Sequence, residues 1–346
     1  MAAPADSTRR AKAARKVRDA RRSERAPSGG WRTIAAKELT DHLESARFLI
    51  LLVVIAIAAV VPLYLVSGDL TAQAPQLSGQ PALFMALFVV GSNSAAGIST
   101  VTFVALLVPL VGIAFGFDGI NSERSQGTLS RLLAQPIHRD DVVNGKFVAG
   151  IAVIAIMLTV LAVLVAAIGA LRLGIAPSFE EVTRVIAWLV ATVLYASFWL
   201  AFALLLSVVI RGAASAALVG FGGWLGLMVF GSLLLPLAAN FLFPANTAGT
   251  ANDYLASTAA AQLFLRVSPA VLYQDVVRAF MNPTTNNVLG VGNVGQYVSS
   301  QEQLPSLLSL DQSILIVWPQ LVALVALTVA MFALAYVLFL RQEVRA

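Results

Sequence analysis

The sequence predicts an all-α polytopic membrane protein. It has six transmembrane helices, an N-terminal amphipathic helix in the membrane interface and a short helix on the cytoplasmic side between the second and third spans. Two observations carry the class. Of 346 residues, 58% are hydrophobic and only 12% charged, against about 25% charged in a soluble globular domain. The apolar residues also fall in runs long enough for the ~20 residues a helix needs to cross a bilayer, and the mean hydropathy is +0.82. With no cysteine in the chain, disulfides, zinc–thiolate sites and iron–sulfur clusters are excluded.

Residues 1–30 are basic and of low complexity, closing on Pro27-Ser28-Gly29-Gly30. They read as a disordered cytoplasmic tail that can lie loosely against anionic lipid. A cleavable leader is not evident, because the start is hydrophilic and the first apolar run is a full span long. Asp6, Asp19 and Glu24 argue against a mitochondrial presequence. Nucleic acid is not an expected partner, since the segment has neither an aromatic platform nor a folded reader domain.

Residues 31–46 carry Trp31, Ile34, Ala35, Leu39, Leu43 and Ala46 on one helical face, with Arg32, Lys37, Asp41, Glu44 and Ser45 elsewhere. Such a helix is expected in the interface, anchored on membrane lipid by Trp31, Ile34, Leu39 and Leu43. Spans are expected at 47–66, 96–117, 142–170, 184–210, 213–240 and 313–340. The fourth and fifth are separated only by Ile210-Arg211-Gly212, but one helix through both would be too long for a bilayer.

Six spans place both termini on one side. With the termini inside, 19 of the 23 Lys and Arg residues are cytoplasmic; only Arg172, Arg184, Arg266 and Arg278 lie outside. Without the tail the split is still 10 to 4. Both termini and the 118–146 loop are therefore expected in the cytoplasm. Outside, the modest loop is 67–95 and the long one 241–312. The long loop holds a helix opened by Ser268 and Pro269, with Val271, Leu272, Val276 and Phe280 on its apolar face.

Several motifs carry no chemistry. Gly290, Gly292 and Gly295 make a GxGxxG, but in a turn-rich external linker without the strand and helix a dinucleotide site needs. No Walker A is present; Asn144-Gly145-Lys146 lacks the upstream glycine. His42 and His138 are each alone, so no metal site is expected. The spans hold almost no ionisable residues, whereas ion-coupled carriers place them near the midplane. Gly220, Gly222, Gly223 and Gly226 suit close helix packing, within the chain or across a dimer.

The segment from Asp118 to Lys146 is the long polar interruption with a helical rhythm of its own. Leu129, Leu132, Leu133 and Ile137 fall on one face, Thr128 is a candidate cap, and Pro136 marks an end or kink. Asp140 and Asp141 suit the N-terminus of the following span. The pattern fits a helix that docks on a partner, and equally an ordinary polar connection packed on its own spans.

Glu123-Arg124-Ser-Gln-Gly127-Thr128-Leu129, the Leu132-Leu133 pair, Pro136, Arg139 and Gly145-Lys146 resemble the first cytoplasmic loop of ABC-2 type transporter permeases. That family runs E-R-E-x-G-T-L, a leucine pair, a proline, an arginine and then G-K; Ser125 departs from the usual acid. The likeness covers residues 31–346, a six-span permease domain with the basic tail outside it. The external loop 241–312 and the C-terminal span look closest to the NosY-like branch. The resemblance implies a plasma-membrane exporter subunit that is not itself an enzyme. It pairs with a second permease chain as a homodimer and with separate ATPase subunits, which hold the ATP and magnesium; this chain needs no cofactor. It also implies that Leu129, Leu132 and Leu133 dock in the ATPase. Glu123, Arg124 and Arg139 then orient the contact, and Gly127 allows close backbone approach. The rival readings are a gradient-driven secondary carrier or channel, and a membrane scaffold recruiting a partner that is not an ATPase.

Overall fold

The computed structural model describes residues 30–72, 83–91, 99–127, 138–174, 176–244, 250–281 and 309–342. These residues form helices and no strands. In order they are α1 (Gly30–Leu43), α2 (Ala46–Ala72), α3 (Leu83–Val89), α4 (Thr100–Gly116), α5 (Asn121–Ser125), α6 (Arg139–Leu173), α7 (Phe179–Val209), α8 (Ala213–Leu242), α9 (Ala251–Leu265), α10 (Pro269–Met281) and α11 (Leu310–Arg341). Six segments are long and apolar enough to cross a membrane: α2, α4 continued through α5, α6, α7, α8 and α11. The GxGxxG at Gly290 and the basic tail lie outside the described residues.

α7 is the axis of the bundle and packs most heavily on α11 and α4. In lipid, helices associate by close packing and hydrogen bonds rather than by leaving water. Both appear along α7. Gly112 and Gly116 of α4 lie against its backbone; a Cβ at Gly112 would sit 2.6 Å from the Ala196 carbonyl oxygen, and one at Gly116 2.8 Å from that of Leu200. Trp188, Tyr195 and Trp199 fill the centre. Tyr195 stacks on Tyr273 at 4.4 Å, and the Tyr273 hydroxyl lies 2.9 Å from that of Thr192.

The expected spans are present, with α7 beginning earlier than the 184 read from the sequence. Glu180 and Glu181, ahead of the span expected from residue 184, lie with Arg184 in its first turns. Ser178 caps it: the Glu181 N–H donates to Ser178 Oγ (3.3 Å) and the Ser178 N–H to Glu181 Oε2 (2.8 Å), the S-x-x-E capping pattern. The other Glu181 oxygen accepts the Phe84 N–H at 2.8 Å. That bond fastens α3, whose residues 84–89 are wholly buried in the bundle although the sequence places them in a connecting loop.

The expected helix after Ser268 is α10, with Leu272, Val276 and Phe280 buried. It meets α9 at a bend of 113°. Arg184 Nη1 donates to the Phe280 carbonyl (3.2 Å), while Tyr273 meets Thr192, eight residues further along α7. At ~1.5 Å per residue, Tyr273 lies roughly 12 Å deeper than Phe280. α10 therefore rises through the bundle to its far end; it does not lie on the surface.

Candidate functional site

The chain that carries the 118–146 motif leaves and rejoins the bundle at one end, and there the polar contacts between helices concentrate. α6 opens after His138, whose N–H donates to Asp141 Oδ2 at 3.2 Å. Acids in this first turn satisfy free amides and suit the helix dipole, as the sequence predicts. One turn on, α1 crosses α6 at Gly145. A Cβ there would lie 2.7 Å from Ile34 Cγ2 and 2.9 Å from the Trp31 carbonyl oxygen, so only glycine permits this approach.

The next residue, Lys146, is buried at 8% exposure. Its ammonium donates to Glu38 Oε1 at 2.7 Å and to Glu123 Oε1 at 3.3 Å. One cation thus ties α1, α5 and α6 together. Beside it Arg47 of α2 makes a two-pronged contact with Asp118, Nη2 to Oδ2 at 2.6 Å and Nη1 to Oδ1 at 3.0 Å, and also donates to the Ala114 carbonyl. Such forked, charge-assisted bonds fix orientation as well as distance.

α5 is short, and its free amides need outside acceptors. Ser207 of α7 supplies one: its Oγ accepts the N–H groups of Ile120 (3.0 Å) and Asn121 (3.1 Å). Arg124 donates to Gln342 Oε1 at 2.8 Å, and Gln342 donates in turn to the Val208 carbonyl at 2.8 Å. The platform is therefore bolted to α1, α6, α7 and the end of α11. It ends at Gly127, whose φ of 67° is the left-handed conformation that glycine adopts without strain.

Between α1, α4, α6 and α7 lies a cavity of about 380 Å³, lined among others by His42, Arg47, Phe115, Asp118, Lys146 and Leu204. The His42 ring meets Phe115 edge-on at 5.2 Å. Burial pushes its pKa below the ordinary 6.5, a shift that nearby Lys146 and Arg47 reinforce and Glu38 and Asp118 oppose.

The structure brings Glu123 and Arg124 into this network and places Gly127 at its edge. Arg139 is exposed at the start of α6. Thr128, Leu129, Leu132, Leu133 and Pro136 lie outside the described residues. Of the four interface residues, Ile34 is buried against α6 and Trp31 and Leu39 are half-buried; Leu43 alone is exposed. Sequence reasoning did not single out Glu38, Arg47, Asp118, Ser207 or Gln342. Gly145 and Lys146 were visible as a motif, and the geometry now gives their reasons. Among the described residues no three His, Asp or Glu side chains cluster as a metal site.

This is a multi-pass, all-helical membrane protein in which polar contacts among α1, α2, α4, α5, α6, α7 and the end of α11 join the helices at one end. Over residues 32–344 it matches the family described as ABC-2 family transporter protein. The chain belongs to that family, and its class is the permease subunit of an ABC transporter. It is 31% identical over 211 residues to the protein described as probable ABC transporter permease protein NosY of Stutzerimonas stutzeri, a match covering 59% of this chain and 69% of that one.

Proposed function

We propose that this permease subunit exports its substrate using ATP hydrolysed by separate ATPase subunits, and that residues 118–141 carry their motion into the membrane. The observation that supports this is the anchoring of α5. Glu123, Arg124 and the Ile120 and Asn121 amides are each held by a different element, so a displacement at Gly127 is delivered to α1, α6, α7 and α11 together. A loosely attached connection would absorb the same displacement.

In this reading Leu129, Leu132 and Leu133 enter the ATPase, and Arg139, exposed at the other end of the segment, orients the contact. Both termini are cytoplasmic, the membrane is the plasma membrane, and a second copy completes the transporter. α1 lies at the membrane surface as the arm that moves with α6.

The test is co-purification. The chain is expressed with the ATPase subunit encoded nearest to it, captured in detergent, and its eluate assayed for vanadate-sensitive ATP hydrolysis. A stoichiometric ATPase is expected; a chain that emerges alone, in detergent and in nanodiscs, overturns the subunit reading. Leu132→Asp is expected to abolish coupled hydrolysis while insertion is retained. Normal coupling in that variant would remove the docking role and leave the family assignment intact.

A further inference from the structure

We propose that the crevice between α4, α8 and α10 binds a compact apolar monocarboxylate, whose carboxyl group is held by the open N-terminus of α10. The crevice encloses about 480 Å³, within the ~300–1,000 Å³ of ligand pockets. Leu106, Trp224 and Leu227 give it apolar walls. Ser268, Ala270, Val271 and Gln274 bring one stretch of α10 to its lining.

That stretch is the start of the helix, and it carries donors without acceptors. Ser268 occupies the capping position, where its carbonyl accepts the Leu272 N–H at 3.1 Å. Pro269 has no N–H to offer. The next two amides, of Ala270 and Val271, have no acceptor among the described residues. At α7 and α9 the third amide is closed from within by the capping hydroxyl, Ser178 or Thr250. Ser268 makes no such bond. It is only 6% exposed, and its hydroxyl meets no partner among the described residues. Unlike Trp188 Nε1 and Trp199 Nε1, that hydroxyl is not sealed inside the bundle; it opens on the crevice that Ser268 lines. Gln274, one turn after Ala270, adds a carboxamide on the same face.

The donor set selects the ligand. Two amides at the positive end of a helix, a hydroxyl and a carboxamide offer more hydrogens than the two lone pairs of a neutral carbonyl accept, whereas a carboxylate accepts about four. No charged side chain lines the crevice, so an ammonium finds no counter-ion there and a carboxylate no like charge to repel it. Half-helix starts within a membrane hold carboxylates in this manner. α10 begins on the deep side of Tyr273, itself roughly 12 Å beneath Phe280, where bulk water does not serve these donors. Thr102 and Ser232 put polar residues on the α4 and α8 walls, so the occupant is compact and not a long hydrocarbon chain. The inference rests on membrane insertion and on the crevice, not on the ATPase partner or the direction of transport.

The probe is para-bromophenylacetate, titrated into nanodiscs of phosphatidylcholine that carry the full chain, with para-bromophenylacetamide as its uncharged isostere. Bromine quenching of Trp224 is read as the difference between the wild type and Trp224→Phe. Saturable quenching by the acid is expected, with the amide about tenfold weaker or more for want of charge-assisted bonds. Ser268→Ala should weaken the acid about tenfold. Ser268→Asn should block the acid and keep the helix, because asparagine caps as well as serine and its own oxygen takes the free amides. Gly231→Leu should abolish saturable quenching by both molecules without unfolding, since the nearest atom to a Cβ there is 3.9 Å away. Equal saturation by acid and amide, or acid binding that neither Ser268 substitution alters, would overturn the carboxylate site. So would quenching that only follows partition into the bilayer. A Trp224 that neither molecule quenches would overturn it as well, the outcome expected if a second copy covers the crevice.

Discussion

α7 and α8 are consecutive, about equally long and separated by three residues, yet they live in different surroundings. Of the most apolar stretch of each, 67% is buried in α7 and 6% in α8. Hydropathy does not distinguish them; polar and aromatic content does. α7 carries Arg184, Thr192, Tyr195, Ser197 and Ser207, nearly all bonded to another element or to its own backbone. α8 carries mainly glycine and large aliphatics, with Leu218, Phe230 and Leu233 at 60% exposure or more. In a bilayer, an exposed leucine costs nothing relative to a buried one, so the hydrophobic effect does not choose which helix goes inside. Packing shape and hydrogen bonds choose.

The sharpest way to break this comparison uses glycines. Gly116→Leu drives a side chain into the α7 backbone at 2.8 Å, and the variant is expected to lose its folded state, read as loss of a monodisperse peak in detergent. Gly226→Leu meets nothing within 4 Å and is expected to keep it. If Gly226→Leu instead separates a dimer into folded monomers, the open face of α8 is where the second copy packs. Next in size is Trp199→Ala in α7, expected to cost on the order of 3 kcal/mol of stability. Phe230→Ala in α8 should stay within about 0.5 kcal/mol. Thermal melting of the two proteins in one detergent decides it.

α1 extends the comparison, because one of its faces resembles α7 and the other α8. Glu38 and Ile34 on the inner face meet Lys146 and Gly145. Lys146→Met leaves Glu38 and Glu123 without their shared cation at a partly wet site. The cost expected is about 2 kcal/mol, between that of a surface pair and a fully buried one. Measured in the assembled transporter, the same variant should lower coupled ATP hydrolysis more than it lowers stability; an equal fall in both would make Lys146 structural only.

These pairs also show what the sequence could and could not tell. Span number, the Asp140-Asp141 start of α6 and the helix after Ser268 were legible because each depends on residues adjacent in the chain. The burial of α3 was not, since Glu181 reaches it across 97 positions. Arg47, read as the first residue of a span, and Asp118, read as the start of a loop, looked unrelated, and Ser207 an ordinary serine, until the helices that carry them were neighbours. Among the glycines, Gly222 and Gly226 face open space while Gly112 and Gly116 make the close crossing; composition cannot rank one stripe above the other.

The smallest effect expected is at His42, on the inner face of α1. Its folded-state pKa lies below the unfolded value, so the unfolded chain takes up a proton first and stability must fall as the pH drops through about 6.5. Above that pH both states hold a neutral imidazole and the residue contributes no pH dependence. The charges facing it compete: Lys146 and Arg47 oppose protonation, Glu38 and Asp118 favour it, and burial against Phe115 decides the sign. His42→Gln removes the titration, so the difference in melting temperature between wild type and variant should be flat from pH 7 to 8 and should move against the wild type below 6.5. A wild type that gains stability on acidification would mean that Glu38 and Asp118 outweigh the burial, and that the inner face of α1 is wetter than its contacts with α4 and α6 imply.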